Sequence, residues 1–62
     1  MGFISVESQL TGEIVYLNVD KIRAFARNER GITDIDTGTD YILPTRETPE
    51  EIMKKIKEAE HE

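Results

Sequence analysis

Several residue types are missing or scarce in this chain of 62 residues, and each absence excludes a class of site. There is no cysteine, so disulfide bonds and thiolate metal sites are excluded and a cytoplasmic location is favoured. The one histidine, His61, lies near the end of the sequence, where we expect no imidazole metal site. No apolar run approaches the roughly 20 residues that span a bilayer, so we expect no membrane insertion.

Side chains suited to catalysis are scarce as well. Ser5 and Ser8 lack a histidine base within reach. Asp34 and Asp36 alternate along one predicted strand, where acidic side chains are usually solvated. Neither of the common glycine-rich phosphate loops occurs. We therefore predict a non-enzymatic protein that works without a cofactor.

Charge and length favour a protein that binds other proteins. Thirteen acidic and eight basic residues give a net charge of -5, which disfavours direct binding of nucleic acid and favours solubility. A single domain of residues 1–62 buries only about 60% of its extended surface, so its core is marginal. Because no disulfide can reinforce it, we expect a partner chain to do so, in a homo-oligomer.

Strand signals run from about residue 3 to residue 45. Alternating or apolar segments separated by turn residues cover 3–8, 14–19, 22–27, 32–36 and 41–43. The second segment is apolar on both faces, which favours a strand covered on both sides, and we expect Pro44 to end the fifth. The pattern predicts a small antiparallel β-meander of four to five strands.

One C-terminal helix is predicted over about residues 48–59. Thr48 suits the N-cap, Pro49 the first helical position, and Glu51 completes a capping box. The apolar stripe that would dock on the sheet consists of Ile52, Met53, Ile56 and Ala59. Acidic side chains crowd the negative end of the helix, so we expect residues 60–62 to fray. The predicted fold class is α+β, with the helix packed on one sheet face.

A single helix leaves the opposite sheet face uncovered. Apolar residues on such a face usually mark an interface. The candidate interface residues are Val15, Leu17 and Met53.

The stretch from Asp34 to Thr45 contains three aspartates and admits two interpretations. A calcium loop of EF-hand type needs an oxygen ligand at its fifth position, glycine at its sixth and glutamate at its twelfth. Counted from Asp34, those positions hold Gly38, Thr39 and Thr45. A hairpin turn needs only a glycine that can adopt positive φ, which Gly38 supplies. We predict the turn.

Basic side chains and an aromatic ring alternate along the predicted third strand, so they point to one side. The members of this stripe are Lys21, Arg23, Phe25 and Arg27. The stripe could hold a small anionic ligand by charge and stacking. Alternatively, it is a solvated strand face with Phe25 at its margin or in an oligomer contact. Arg30 and Arg46 are further cations that the sequence does not place.

Three segments carry a resemblance to a known family: LTGEIVYLNVDKI, ITDIDTGTDYIL and ETPEEIMKKI. Together they resemble the small flagellar FlbD family, also called swarming protein SwrD. The matching positions are Leu10, Gly12, Leu17, Asn18, Asp20, Ile22, Ile32, Gly38, Tyr41, Glu47, Glu51, Ile52 and Ile56. The resemblance implies a role in flagellar motility and motor output, and the family has no established active site to carry over.

Three functions fit these features. The first is a cytoplasmic adaptor of FlbD type, an oligomeric module that acts on a flagellar or other membrane-associated machine. The second is a phage-type inhibitor whose carboxylates occupy a basic groove of a host defence protein. The third is an oligomeric sponge that buries an anionic nucleotide against the stripe defined above.

Overall fold

The computed structural model describes residues 2–60, so the expectations for His61 and Glu62 lie outside the described residues. Five strands and one helix follow one another along the chain: β1 (Phe3–Glu7), β2 (Ile14–Asn18), β3 (Ala24–Arg27), β4 (Thr33–Asp36), β5 (Ile42–Thr45) and α1 (Pro49–Glu60). All strand pairs are antiparallel. The predicted α+β class, with its strand number and C-terminal helix, is confirmed.

The strands form two sheets where one meander was predicted. β1 and β2 make a hairpin, and β3, β4 and β5 make a second sheet. A bridge between Ser8 and Thr45 joins the two sheets. The division arises at a 3-10 turn, Val19–Lys21, which is capped because the Asn18 side chain accepts a hydrogen bond from the Asp20 N–H at 3.0 Å.

Because of that turn, two strand ends differ from those predicted. The second strand ends at Asn18, one residue earlier than predicted, and the third begins at Ala24, two residues later.

The fifth strand continues through Pro44 to Thr45, although we expected Pro44 to stop it. The Pro44 carbonyl accepts from the Gln9 N–H at 2.8 Å. Because the nitrogen and carbonyl of one strand residue share an edge, the missing N–H faces away from β4 and leaves that ladder intact.

The core lies where the two sheets meet the helix, and α1 contacts β1 and β3. The hydrophobic residues buried there are Ile4, Val6, Ile35, Leu43, Ile52 and Ala59. The helix therefore packs against one strand of each sheet. No helix among residues 2–60 has both the length and the apolar character needed to cross a bilayer.

The start of α1 has the predicted capping box. The Thr48 N–H donates to Glu51 Oε1 at 2.9 Å, and the Glu51 N–H donates to Thr48 Oγ1 at 3.1 Å. The backbone bond from Thr48, followed by its hydroxyl, holds the pKa of Glu51 below its ordinary value of 4.5. At the other end, α1 includes Glu60, so the helix runs one residue beyond its predicted end.

Candidate functional site

The predicted basic stripe does not form one strand face. Lys21 belongs to the 3-10 turn and Arg23 precedes β3, so only Phe25 and Arg27 lie on the strand. Phe25 is half-buried, lies opposite Ile35 and packs against the core. This arrangement fits the second interpretation, in which Phe25 packs at the margin of a solvated strand face.

Arg23 packs along the turn between β4 and β5. A Cβ atom placed on Gly38 would lie 2.8 Å from Arg23 Cδ. Gly38 has φ +84, and its N–H donates to Asp36 Oδ1 at 2.8 Å. The aspartate-rich stretch therefore forms the predicted turn, and the stem of Arg23 covers it.

Three of the four arginines line one open groove of about 710 Å³. They are Arg27, Arg30 and Arg46. Its apolar walls include Ile32 and Pro44. Arg27 comes from the predicted stripe, whereas Arg30 and Arg46 are brought in by the fold. Sequence reasoning missed this grouping because strand parity says nothing about cations on turns or on neighbouring strands.

Local hydrogen bonds position the groove. In the turn between β3 and β4, Asn28 Oδ1 accepts from the N–H groups of Arg30 at 2.8 Å and Ile32 at 3.2 Å. Gly31, with φ +80, allows the chain to reverse there. On the other wall, Arg46 Nε donates to Gln9 Oε1 at 2.6 Å. Both bonding patterns hold the backbone or the guanidinium in place before any ligand arrives.

The groove has the opposite charge to the chain as a whole. It gathers three guanidinium groups, and Asp34 is the one carboxylate on its walls, in a chain of net charge -5. Guanidinium groups match the geometry of phosphate and carboxylate oxygens and bind them with paired hydrogen bonds. Among residues 2–60, by contrast, no group of three or more acidic or histidine side chains is arranged to hold a metal ion.

A second surface is apolar and lies on the outer face of the β1–β2 hairpin. Its members are Phe3, Ile14 and Tyr16, which are 64%, 57% and 72% exposed. Phe3 and Tyr16 lie on neighbouring strands in diagonally adjacent positions, within contact range for aromatic rings. We call these three residues the hairpin face.

The candidate interface residues are placed differently from that face. Val15 and Leu17 point inward and pack, half-buried, against the core. The strand is therefore covered on one side, and its outward residues Ile14 and Tyr16 stay exposed, because α1 covers the inner side only. Met53 is 53% exposed on α1, away from the hairpin face, and lies beside Lys54 and Lys57.

The two edges of the hairpin differ. On the β1 edge, Lys55 Nζ donates to the Ser5 carbonyl at 2.5 Å, and the Glu7 N–H donates to Glu47 Oε2 at 3.3 Å. Lys55 and Glu47 also form an ion pair at 2.5 Å. This pair occupies the place that another strand would take, so the β1 edge is closed by side chains.

No family model, curated protein or solved structure matches this chain. The resemblance to the FlbD family remains a hypothesis, and the arginine groove and the hairpin face are the two surfaces suited to binding.

Proposed function

We propose that this chain is a non-enzymatic protein-interaction module that works as an oligomer, of the adaptor type implied by its resemblance to the FlbD family. The hairpin face is the observation that carries the proposal. Phe3, Ile14 and Tyr16 are large apolar side chains that lie together on a side of the hairpin that the core does not use.

Exposing such a group in water is unfavourable, and contiguous apolar patches on small proteins usually mark binding surfaces. Aromatic side chains are also the residues that contribute most at interfaces, because they bury much area at a small entropic cost. Phe3 and Tyr16 have that character, and neither is needed to fill the interior of this chain.

An affinity pull-down from the native host tests the proposal with two matched tyrosines. Tyr16 and Tyr41 are both exposed, at 72% and 52%, but only Tyr16 belongs to the hairpin face. We expect Tyr16→Ser to lose the bound protein and Tyr41→Ser to retain it. Recovery of a flagellar motor or export component would support the FlbD-type adaptor. If both variants capture the same proteins as the wild type, the hairpin face is not the binding surface.

A second candidate function is the binding of a small anionic ligand, and the arginine groove favours it. Arg27, Arg30 and Arg46 line one open groove whose walls also include apolar side chains, a combination suited to a nucleotide phosphate with a base beside it. This form of the sponge hypothesis places the ligand in the groove, whereas the sequence placed it against the basic stripe.

Calorimetry against a panel of nucleotides tests this second candidate. We expect Arg30→Gln to abolish the heat of binding, whereas Arg23→Gln, which changes an arginine outside the groove, leaves it intact. The absence of heat with millimolar nucleotide and wild-type protein would eliminate the sponge.

A further inference from the structure

The outer edge of β2 is open. Val19 N–H bonds to the Gly2 carbonyl and Ser8 N–H to the Glu13 carbonyl, so these pairs fix which β2 residues face β1. Because the direction alternates along an antiparallel strand, Ile14, Tyr16 and Asn18 point their N–H and C=O groups away from β1. Within residues 2–60, the N–H and C=O groups of Ile14 and Tyr16 and the N–H of Asn18 have no hydrogen-bond partner, whereas the Asn18 carbonyl begins the 3-10 turn.

The open edge stands out against the other strand edges. The β1 edge is closed by Glu47 and Lys55 and, at Ser8, by the bridge to β5. The edge strand of the second sheet, β3, has four residues and ends at a charged residue, Arg27. Proteins usually protect open edges with lysine, proline, bulges or short strands. The β2 sequence Ile-Val-Tyr-Leu-Asn has none of these protections.

The composition of β2 suits a second copy better than an unrelated partner. Two chains that each carry a net charge of -5 repel one another, so they associate best where neither contributes a charge. Ile14–Asn18 has no charged residue. Two copies of β2 have the same length and the same alternation of faces, so an antiparallel pair keeps their outward side chains on one side of the sheet.

We propose that two copies of this chain pair through β2 in an antiparallel register centred on Tyr16, a step that rests on the proposed function. In this register, Tyr16 lies opposite Tyr16 of the second copy, and Ile14 lies opposite Asn18. The outward N–H groups of these three residues and the carbonyls of Ile14 and Tyr16 then find partners on the other copy, and the Asn18 carbonyl accepts through its second lone pair. The two-fold axis makes the contact closed and self-complementary.

The pairing also completes the hairpin face. It produces a four-stranded sheet in the order β1, β2, β2, β1, and the outward sides of both hairpins lie on the same surface. Phe3, Ile14 and Tyr16 of the two copies therefore lie on one surface, joined through the central pair of tyrosines, with Ser5, Glu7 and Asn18 as the polar residues of the same face. The oligomer presents twice the binding area that one chain offers, which connects self-association with the adaptor function.

Single cysteines test the register directly, because the chain has none of its own. In Tyr16→Cys the two Cα atoms lie about 5.5 Å apart across a hydrogen-bonded pair, within the range of a disulfide. In the control Ile14→Cys they lie roughly 14 Å apart, four residues along the strand, which no disulfide spans. We expect mild oxidation to link Tyr16→Cys into dimers and to leave Ile14→Cys unlinked. The opposite result overturns the register.

Removing the central donor tests the edge itself. In Tyr16→Pro the ring removes an outward N–H that no intramolecular bond uses, whereas Tyr16→Thr keeps that N–H and a strand-forming side chain. We expect light scattering to show that Tyr16→Pro weakens dimerisation about tenfold or more, as loss of one or two hydrogen bonds implies. Tyr16→Thr should weaken it less.

Circular dichroism shows whether Tyr16→Pro keeps its fold. If it does not, Tyr16→Lys replaces it, since two ammonium groups would then face each other at the centre of the register. A dimer that survives Tyr16→Lys unchanged uses another surface, which overturns the inference and leaves the interaction module intact. If the wild-type chain is monomeric, both the inference and the oligomeric part of the proposed function are wrong. The pull-down with Tyr16→Ser then shows whether the hairpin face binds a different protein.

Discussion

At the scale of single residues, one buried hydroxyl group stands out. Thr33 is completely buried, and its Oγ1 has no hydrogen-bond partner among the described residues. Thr45 is equally buried and lies opposite Thr33, but its Oγ1 accepts from the Glu47 N–H at 3.3 Å. Thr33 and Thr45 are therefore a matched pair of buried threonines, of which only Thr45 has a hydrogen-bond partner for its hydroxyl.

This difference predicts opposite effects for one substitution. Thr33→Val removes an unsatisfied polar group without changing the volume, and we expect the free energy of unfolding to rise by about 1 kcal/mol. Thr45→Val leaves the Glu47 N–H without its acceptor, so we expect a decrease of about 1 kcal/mol. Urea denaturation of both variants measures the change. Equal effects of the same sign would mean that the Thr33 hydroxyl has a partner in solution.

At the scale of secondary structure, the first turn of α1 makes stability depend on pH. The pKa of Glu51 is lowered in the folded chain by its bonds to Thr48, so the folded state favours the ionised carboxylate. Stability from this source is present above the unfolded value near 4.5 and is lost as the pH falls through that value towards the lower folded pKa.

Thr48→Ala tests this coupling. At neutral pH the loss of the cap lowers the free energy of unfolding by about 1 kcal/mol. The variant should also lose somewhat less stability than the wild type when the pH falls below 4.5, because Glu51 loses the hydroxyl contribution to its lowered pKa and keeps the bond from the backbone N–H of residue 48. Denaturation curves at the two pH values provide the measurement. Parallel losses in wild type and variant would show that other carboxylates dominate.

The side-chain closure of β1 can be tested by a double-mutant cycle. Glu47→Gln removes one charge and Lys55→Met removes the donor to Ser5, and both residues are partly exposed. We expect a coupling free energy of about 1 kcal/mol, since the pair is held by two further backbone bonds. Denaturant titration of the two single variants and the double variant gives this value. Zero coupling would reduce the pair to an ordinary surface contact.

Local rules predicted the elements that depend on local chemistry. The capping box at Thr48 and Glu51 and the turn at Gly38 were read from neighbouring residues and are confirmed. The start of β3 was predicted two residues too early, because Asn18 caps a 3-10 turn that competes with strand extension. The continuation of β5 through Pro44 was also missed, since it depends on Gln9 from a distant segment.

The candidate site was harder to predict for the same reason. The stripe containing Lys21 and Arg23 was inferred from parity on one strand, whereas the groove depends on turns that only the fold brings together. An uncovered sheet face follows from the single helix, but the sequence assigns Val15 and Leu17 to it, whereas the exposed residues are Ile14 and Tyr16 because α1 docks on the other side. A sequence shows which side chains are apolar, but tertiary packing decides which of them become buried.

At the scale of the whole molecule, charge and apolar surface are separated. The cations Arg27, Arg30 and Arg46 lie together at one groove, and the hairpin face carries Phe3, Ile14 and Tyr16. The chain has a net charge of -5, so both surfaces differ in character from its average exterior. A ligand at the groove and a second copy at β2 can therefore bind without using the same residues.

Pairing through β2 also makes the stability of the chain depend on its concentration. A small single domain has a marginal core, and association with a second folded copy stabilises the folded state by mass action. A tenfold increase in chain concentration should stabilise the folded dimer by about 1.4 kcal/mol and raise the thermal midpoint by a few degrees. Circular dichroism melts at two concentrations measure the shift. With both concentrations chosen below the dissociation constant of its weakened dimer, Tyr16→Pro should melt at the same temperature at both. Concentration-independent melting of the wild type would instead show that one chain reaches its full stability alone.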